Sequence, residues 1–132
     1  MTTARVTITD EAVAMVALLV ERHGPLLFHQ SGGCCDGSSP MCFPRFEFKV
    51  GAQDIYLGDI AGQPFYIGAA QFEYWAHTCL IIDLVKGRGS GFSAEAPEGF
   101  RFLTRSRLFT DDESAALAAA GPPPNGEQHP PG

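Results

Sequence analysis

Residues 45–68, RFEFKVGAQDIYLGDIAGQPFYIG, carry the reading on which the fold turns. RFEFKV (45–50) alternates strictly, with Phe46 and Phe48 on one side and Arg45, Glu47 and Lys49 on the other, the period-two pattern of a half-buried strand. Gly51-Ala52-Gln53-Asp54 turns the chain into IYLGDI (55–60), and Ala61-Gly62-Gln63 leads on to PFYIG (64–68), so the segment reads as a β-meander.

Working outward, ARVTIT (4–9) reads as a short strand. Thr9 or Asp10 then caps a helix whose apolar residues Ala12, Val13, Val16, Leu19 and Val20 recur at helical spacing until Gly24-Pro25 stops it. LLFHQ (26–30) is a compact strand, and SGGCCDGSSPMCFP (31–44) is a long Gly/Ser/Pro-rich loop of the sort that tends to carry function. On the other side, AAQFEYWAH (69–77) lacks β-branched residues and reads as a short helix. CLIIDLV (79–85) is an apolar strand, GRGSG (87–91) a turn, and GFRFLTRSRLF (99–109) a second alternating strand. The order predicts an α+β fold with a mostly antiparallel β-sheet, one N-terminal helix and a short second helix, in a single domain over 1–110. Residues 111–132 are expected to be an acidic, Pro-rich, largely disordered tail, with at most a short Ala-rich helix beyond Thr110.

The chain has 132 residues, enough for one core, and 45% hydrophobic content marks it as folded. Its net charge of −6 is concentrated at the end, where Asp111, Asp112, Glu113 and Glu127 occur without a Lys or Arg. The remaining nine basic and eleven acidic residues nearly cancel, which offers no basic stripe for a phosphate backbone and argues against nucleic acid as a partner. No apolar run is long enough to span a bilayer, and MTTARVTITDE lacks the order of a signal peptide. The expectation is a cytoplasmic protein, away from membranes, with reduced thiols.

Cys34, Cys35 and Cys42 fall within nine residues of one glycine-rich loop that also holds Asp36 and begins beside His29. These are donors for a transition metal such as zinc, iron or copper, or for an iron–sulfur cluster, and the glycines let a backbone fold tightly around an ion. The spacing CC-x6-C matches no standard zinc-finger pattern. Cys79, ahead of an apolar strand, reads as core. His77 closes the aromatic helix one turn after Glu73, and if that helix packs on the loop, His77 joins Cys34, Cys35, Cys42 and His29 as a ligand. Phe72 and Trp75 then face the core. GRGSG lacks the Lys and helix of a phosphate loop, and Ser31, Ser38 and Ser39 have no placed His-Asp pair. A reactive cysteine in the same loop, in a thiol-dependent redox enzyme or sensor, is the alternative chemistry, and a structural partner-binding module is a third reading.

FHQSGGCCDGSSPMCFPR, QPFYIGAAQFEYWAHT, GRGSGFS and PEGFRFLTRSRLF together resemble a bacterial family of unknown function encoded beside aldehyde dehydrogenases. A second, shorter likeness is to the HesB/IscA-like A-type iron–sulfur carriers, through VTITDEA (6–12), GGCCDG (32–37), LIID (80–83) and GSGFSAEAP (89–97). That likeness implies a HesB-like topology and carries over Cys34 alone. The carriers' C-terminal cysteines have no counterpart in RFLTRSRLF, so Cys35, Cys42 and a His would have to substitute. The resemblances imply a metal- or iron–sulfur-binding accessory protein rather than an enzyme, with an aldehyde dehydrogenase and a second copy of the chain as expected partners.

Overall fold

The computed structural model describes residues 4–30, 39–87 and 98–131. Among these, seven strands and three helices follow one another as β1 (Val6–Ile8), α1 (Asp10–His23), β2 (Leu26–Gln30), β3 (Met41–Pro44), β4 (Asp54–Ile60), β5 (Gln63–Gly68), α2 (Ala69–Trp75), β6 (Thr78–Lys86), β7 (Phe100–Leu108) and α3 (Asp111–Ala120). The class is α+β, as expected, but the chain builds two sheets, ordered β1-β6-β7 and β3-β2-β5-β4. Each is mixed. β1 runs parallel to β6 and β2 parallel to β5, while β6/β7, β2/β3 and β4/β5 are antiparallel. A parallel pair needs a long crossover, which local alternation in the sequence does not announce.

α1 begins at Thr9, whose hydroxyl accepts from Ala12 N–H and donates to Asp83 of β6, and it ends at Gly24, whose positive φ suits glycine. Its buried stripe is Ala12, Met15, Val16 and Leu19, whereas Val13 faces outward at 38% exposure. The inner faces of the sheets meet where Phe28 of β2 contacts Phe102 of β7 edge-on at 5.0 Å. Beside them the Thr104 hydroxyl donates to Gln30 Oε1 at 2.7 Å, a polar bond inside the core.

Residues 45–50 do not form the expected strand. The strand lies just before them, at Met41–Pro44, within the stretch read as loop. Pro44 cannot donate to the ladder, Glu47 N–H turns back onto Pro44 carbonyl, and the Arg45 side chain donates to Leu26 O, Gly62 O and Gln63 Oε1. The turn leaves Phe46 77% exposed and swings Phe48 onto Phe43 and His29. The β4–β5 hairpin does form where expected, through Ala61-Gly62 with φ of 50° and 79°, the sign that a tight two-residue hairpin requires.

The end of the chain packs against the domain. α3 is a full helix fixed by a capping box between Thr110 and Glu113. Beyond it, the Pro-rich segment is laid along β4 rather than free of the domain: Tyr56 N–H donates to Pro124 O, Gly126 N–H to Asp54 O, and the Tyr66 hydroxyl to His129 O at 2.6 Å. Prolines need no backbone donor of their own, so a few such bonds and one ring stack suffice to seat them.

Candidate functional site

β2 lies between β3 and β5, so both its edges are paired, and all five of its residues are buried. Alternation sends Leu26, Phe28 and Gln30 to the core and Leu27 and His29 to the outer face of the sheet. On that outer face His29 pairs in register with Met41 of β3 and Tyr66 of β5. Its Nε2 lies 2.6 Å from Asp54 Oδ1, and the second Asp54 oxygen accepts from Gly51 N–H at 3.0 Å. A carboxylate oxygen can only accept, so Nε2 is the donor of this bond. Phe48 covers the imidazole, ring centroids 4.9 Å apart, and His29 is 5% exposed.

The same face continues into Tyr66 and Tyr56, whose rings are 5.6 Å apart, and Tyr56 stacks on the imidazole of His129 at 3.7 Å. Tyr56 OH donates to Asp59 Oδ1. Burial raises both phenols, Tyr66 up to about 12, so each remains a protonated donor at neutral pH.

The five residues expected to share a site are distributed as follows. Cys34 and Cys35 lie outside the described residues. Cys42 pairs in register with Phe28, is fully buried, and points into the core, on the face of the sheet opposite His29. His77 is exposed and lines a groove with Arg5, Phe109, Ser114 and Leu117. α2 stops at Trp75, two residues short of the expected helix, so Glu73 and His77 lose the shared helical face on which their pairing rested. Trp75 is buried at 3% exposure, as the core reading of that residue expects. Cys79 is also buried, and burial pushes its thiol pKa up, away from reactive character. Among the described residues no three His, Cys, Asp or Glu side chains are grouped so as to hold a metal ion.

Sequence reasoning missed Asp54, Phe48 and Tyr66. In the sequence Asp54 reads only as a turn residue, and its partner is 25 positions away. The one local signal is its bond back to Gly51 N–H, a common turn device that carries no information about His29.

Residues 15–108, from within α1 to the end of β7, match a family described as a domain of unknown function, DUF779. No curated protein matches the chain.

Proposed function

The chain belongs to the DUF779 family, and from that premise we propose that it is a small metal-binding accessory protein. In this reading Cys34 and Cys35 supply thiolates and His29 supplies a nitrogen to a transition metal (zinc, iron or copper) or an iron–sulfur unit. The observation that carries the proposal is the His29–Asp54 pair: a buried imidazole held by a carboxylate 2.6 Å away, three residues before the Gly-Gly-Cys-Cys sequence begins at Gly32. Histidines that ligate metals characteristically donate their other ring N–H to a carboxylate, which orients the ring and raises its basicity.

Cys42 is assigned to the core in this reading and His77 to a separate groove, so the ligand set is smaller than the five residues named from sequence. The aldehyde-oxidising partner rests on the resemblance of the long sequence phrases, and the HesB-like topology on the order of β1, α1 and β2 and on the GGCCDG sequence that follows them. A cytoplasmic location follows from the need to keep adjacent thiols reduced. No helix among the described residues is long and apolar enough to cross a membrane.

Cobalt titration of reduced, chelator-treated protein tests the ligand chemistry. Thiolate-to-cobalt charge transfer in the near ultraviolet is expected, and it is lost in the Cys34→Ser, Cys35→Ser double variant. A spectrum of oxygen ligation alone overturns the proposal.

The same pair also favours a second reading, in which His29 Nδ1 serves as base to Cys34 or Cys35, since an activated nucleophile needs a base that is itself oriented by a third group. Alkylation rate against pH separates the two. The second reading requires a metal-free thiol that reacts with an apparent pKa well below the ordinary value of about 8.5.

A further inference from the structure

Arg5 stands at the start of β1, half-buried, with its guanidinium 5.4 Å from the ring centre of Phe72. Arg22, Arg105 and Arg107 each pair with a carboxylate, namely Glu98, Asp83 and Glu113. Arg5 has no acidic partner among the described residues. Burial alone lowers its pKa, with no carboxylate offsetting that loss of water. A guanidinium nonetheless remains charged at any physiological pH, so a cation is kept partly dehydrated with an aromatic face as its neighbour.

That cation borders a groove of about 280 Å³ between α3 and the turn after α2. His77 and Ser114 supply polar atoms to its wall, and Phe109, Leu117 and Pro122 supply apolar ones. Ser114, Leu117 and Ala118 are the i, i+3 and i+4 positions of one helical stripe, so α3 presents a single face to the groove. The volume falls below the range of drug-sized pockets, which restricts an occupant to a few carbons. The nearby Arg107 is engaged by both oxygens of Glu113, so the groove offers one uncommitted guanidinium and suits one negative charge better than two.

We infer that this groove binds a short-chain monocarboxylate, its carboxylate paired with Arg5 and its hydrocarbon lying against Phe109 and Leu117. A guanidinium meets a carboxylate through two parallel N–H donors, a geometry that an amide or alcohol of the same size cannot reproduce with equal strength. Arg5 and α3 lie outside the segment matched by the family, and the groove is separate from His29 and Asp54, so this inference stands or falls independently of metal binding.

The test is an NMR titration of the full chain with hexanoate, hexanamide and inorganic phosphate. Saturable shifts are expected for Arg5, His77, Phe109 and Leu117 with hexanoate, with hexanamide and phosphate each weaker by at least about tenfold. Arg5→Gln should weaken hexanoate by at least about tenfold, the loss expected for one charged hydrogen-bonded pair. Should Arg5→Gln fail to fold, Leu117→Glu, which places a negative charge in the groove from the face that α3 presents to it, should produce a similar loss. Equal binding of hexanoate and hexanamide, shifts clustered away from the groove, or full affinity in either folded variant overturns the inference.

Discussion

His29 on β2 and Asp54 on β4 are joined at 2.6 Å across the outer face of β5, so one hydrogen bond ties two strands that are not neighbours in the sheet. The bond holds the imidazole at the penultimate residue of β2, and it couples the stability of the sheet to the orientation of a candidate ligand.

Asp54→Ala removes the acceptor of both His29 and Gly51 N–H. The expected cost is about 1–3 kcal/mol of unfolding free energy, because a buried donor loses its partner. Zinc affinity should fall by roughly 10- to 100-fold, the range for loss of a carboxylate that orients a ligating histidine. Denaturant unfolding and a competition titration with a chelating dye measure the two effects separately. Unchanged zinc affinity would detach Asp54 from the site.

Truncation before Gly121 should lower the thermal midpoint by at least about 4 °C, the shift that corresponds to roughly 1 kcal/mol in a domain of this size. The segment contributes the acceptors for Tyr56 N–H and the Tyr66 hydroxyl and the ring stacked on Tyr56. Composition alone predicts the opposite, an unchanged midpoint, since residues 121–132 hold no large apolar side chain. Differential scanning calorimetry of the two chains decides between them.

α3 should fray in acid. The hydrogen bond from Arg107, helped by Thr110 N–H, holds the Glu113 carboxyl down at about 2 from an ordinary 4.5. A carboxyl depressed in the folded state contributes stability above its ordinary value and loses that contribution as pH falls through the lower one. Amide exchange in residues 111–120 should therefore accelerate between about pH 4.5 and 2, and Glu113→Gln should flatten the profile. Exchange that is independent of pH after correction for intrinsic rates would show that the capping box is not formed in solution.

Phe102→Ala should cost about 3–5 kcal/mol, as large-to-small changes of aromatic residues in a core do. Phe102 is fully buried and meets Phe28 from the opposite sheet, so the cavity would open between the sheets. Denaturant unfolding measures it, and a loss below about 1 kcal/mol would mean that the sheets do not pack through this pair.

The elements easiest to read from sequence were those whose signals are local. Thr9 and Gly24 bracket α1, Ala61-Gly62 marks a hairpin, and the apolar runs of β2 and β6 are strands by composition. What misled was alternation without context. Phe46 and Phe48 do alternate with charges, but Arg45 is anchored to Leu26 and Gln63, and the chain turns before a strand can extend. The same limit applies to the site. His29 was visible as a histidine beside a cysteine loop, but β2 separates it from Cys42 by placing them on opposite faces of the sheet, and Asp54 reaches it only through the β4–β5 hairpin. Proximity in sequence puts Cys42 with the loop, whereas strand parity turns it to the face opposite His29; His77 joins only if the aromatic helix packs on the loop, and α2 ends before reaching it.

Metal stoichiometry decides whether Cys34, Cys35 and His29 hold a metal. Protein prepared without chelator and without a nickel affinity step is assayed by elemental analysis, and its thiols are titrated under native conditions. About one metal equivalent, or one iron–sulfur unit, is expected per binding site, with Cys34 and Cys35 protected until the metal is removed. Less than about 0.1 equivalent of any metal, with Cys34 and Cys35 fully reactive in the native protein, would contradict that expectation.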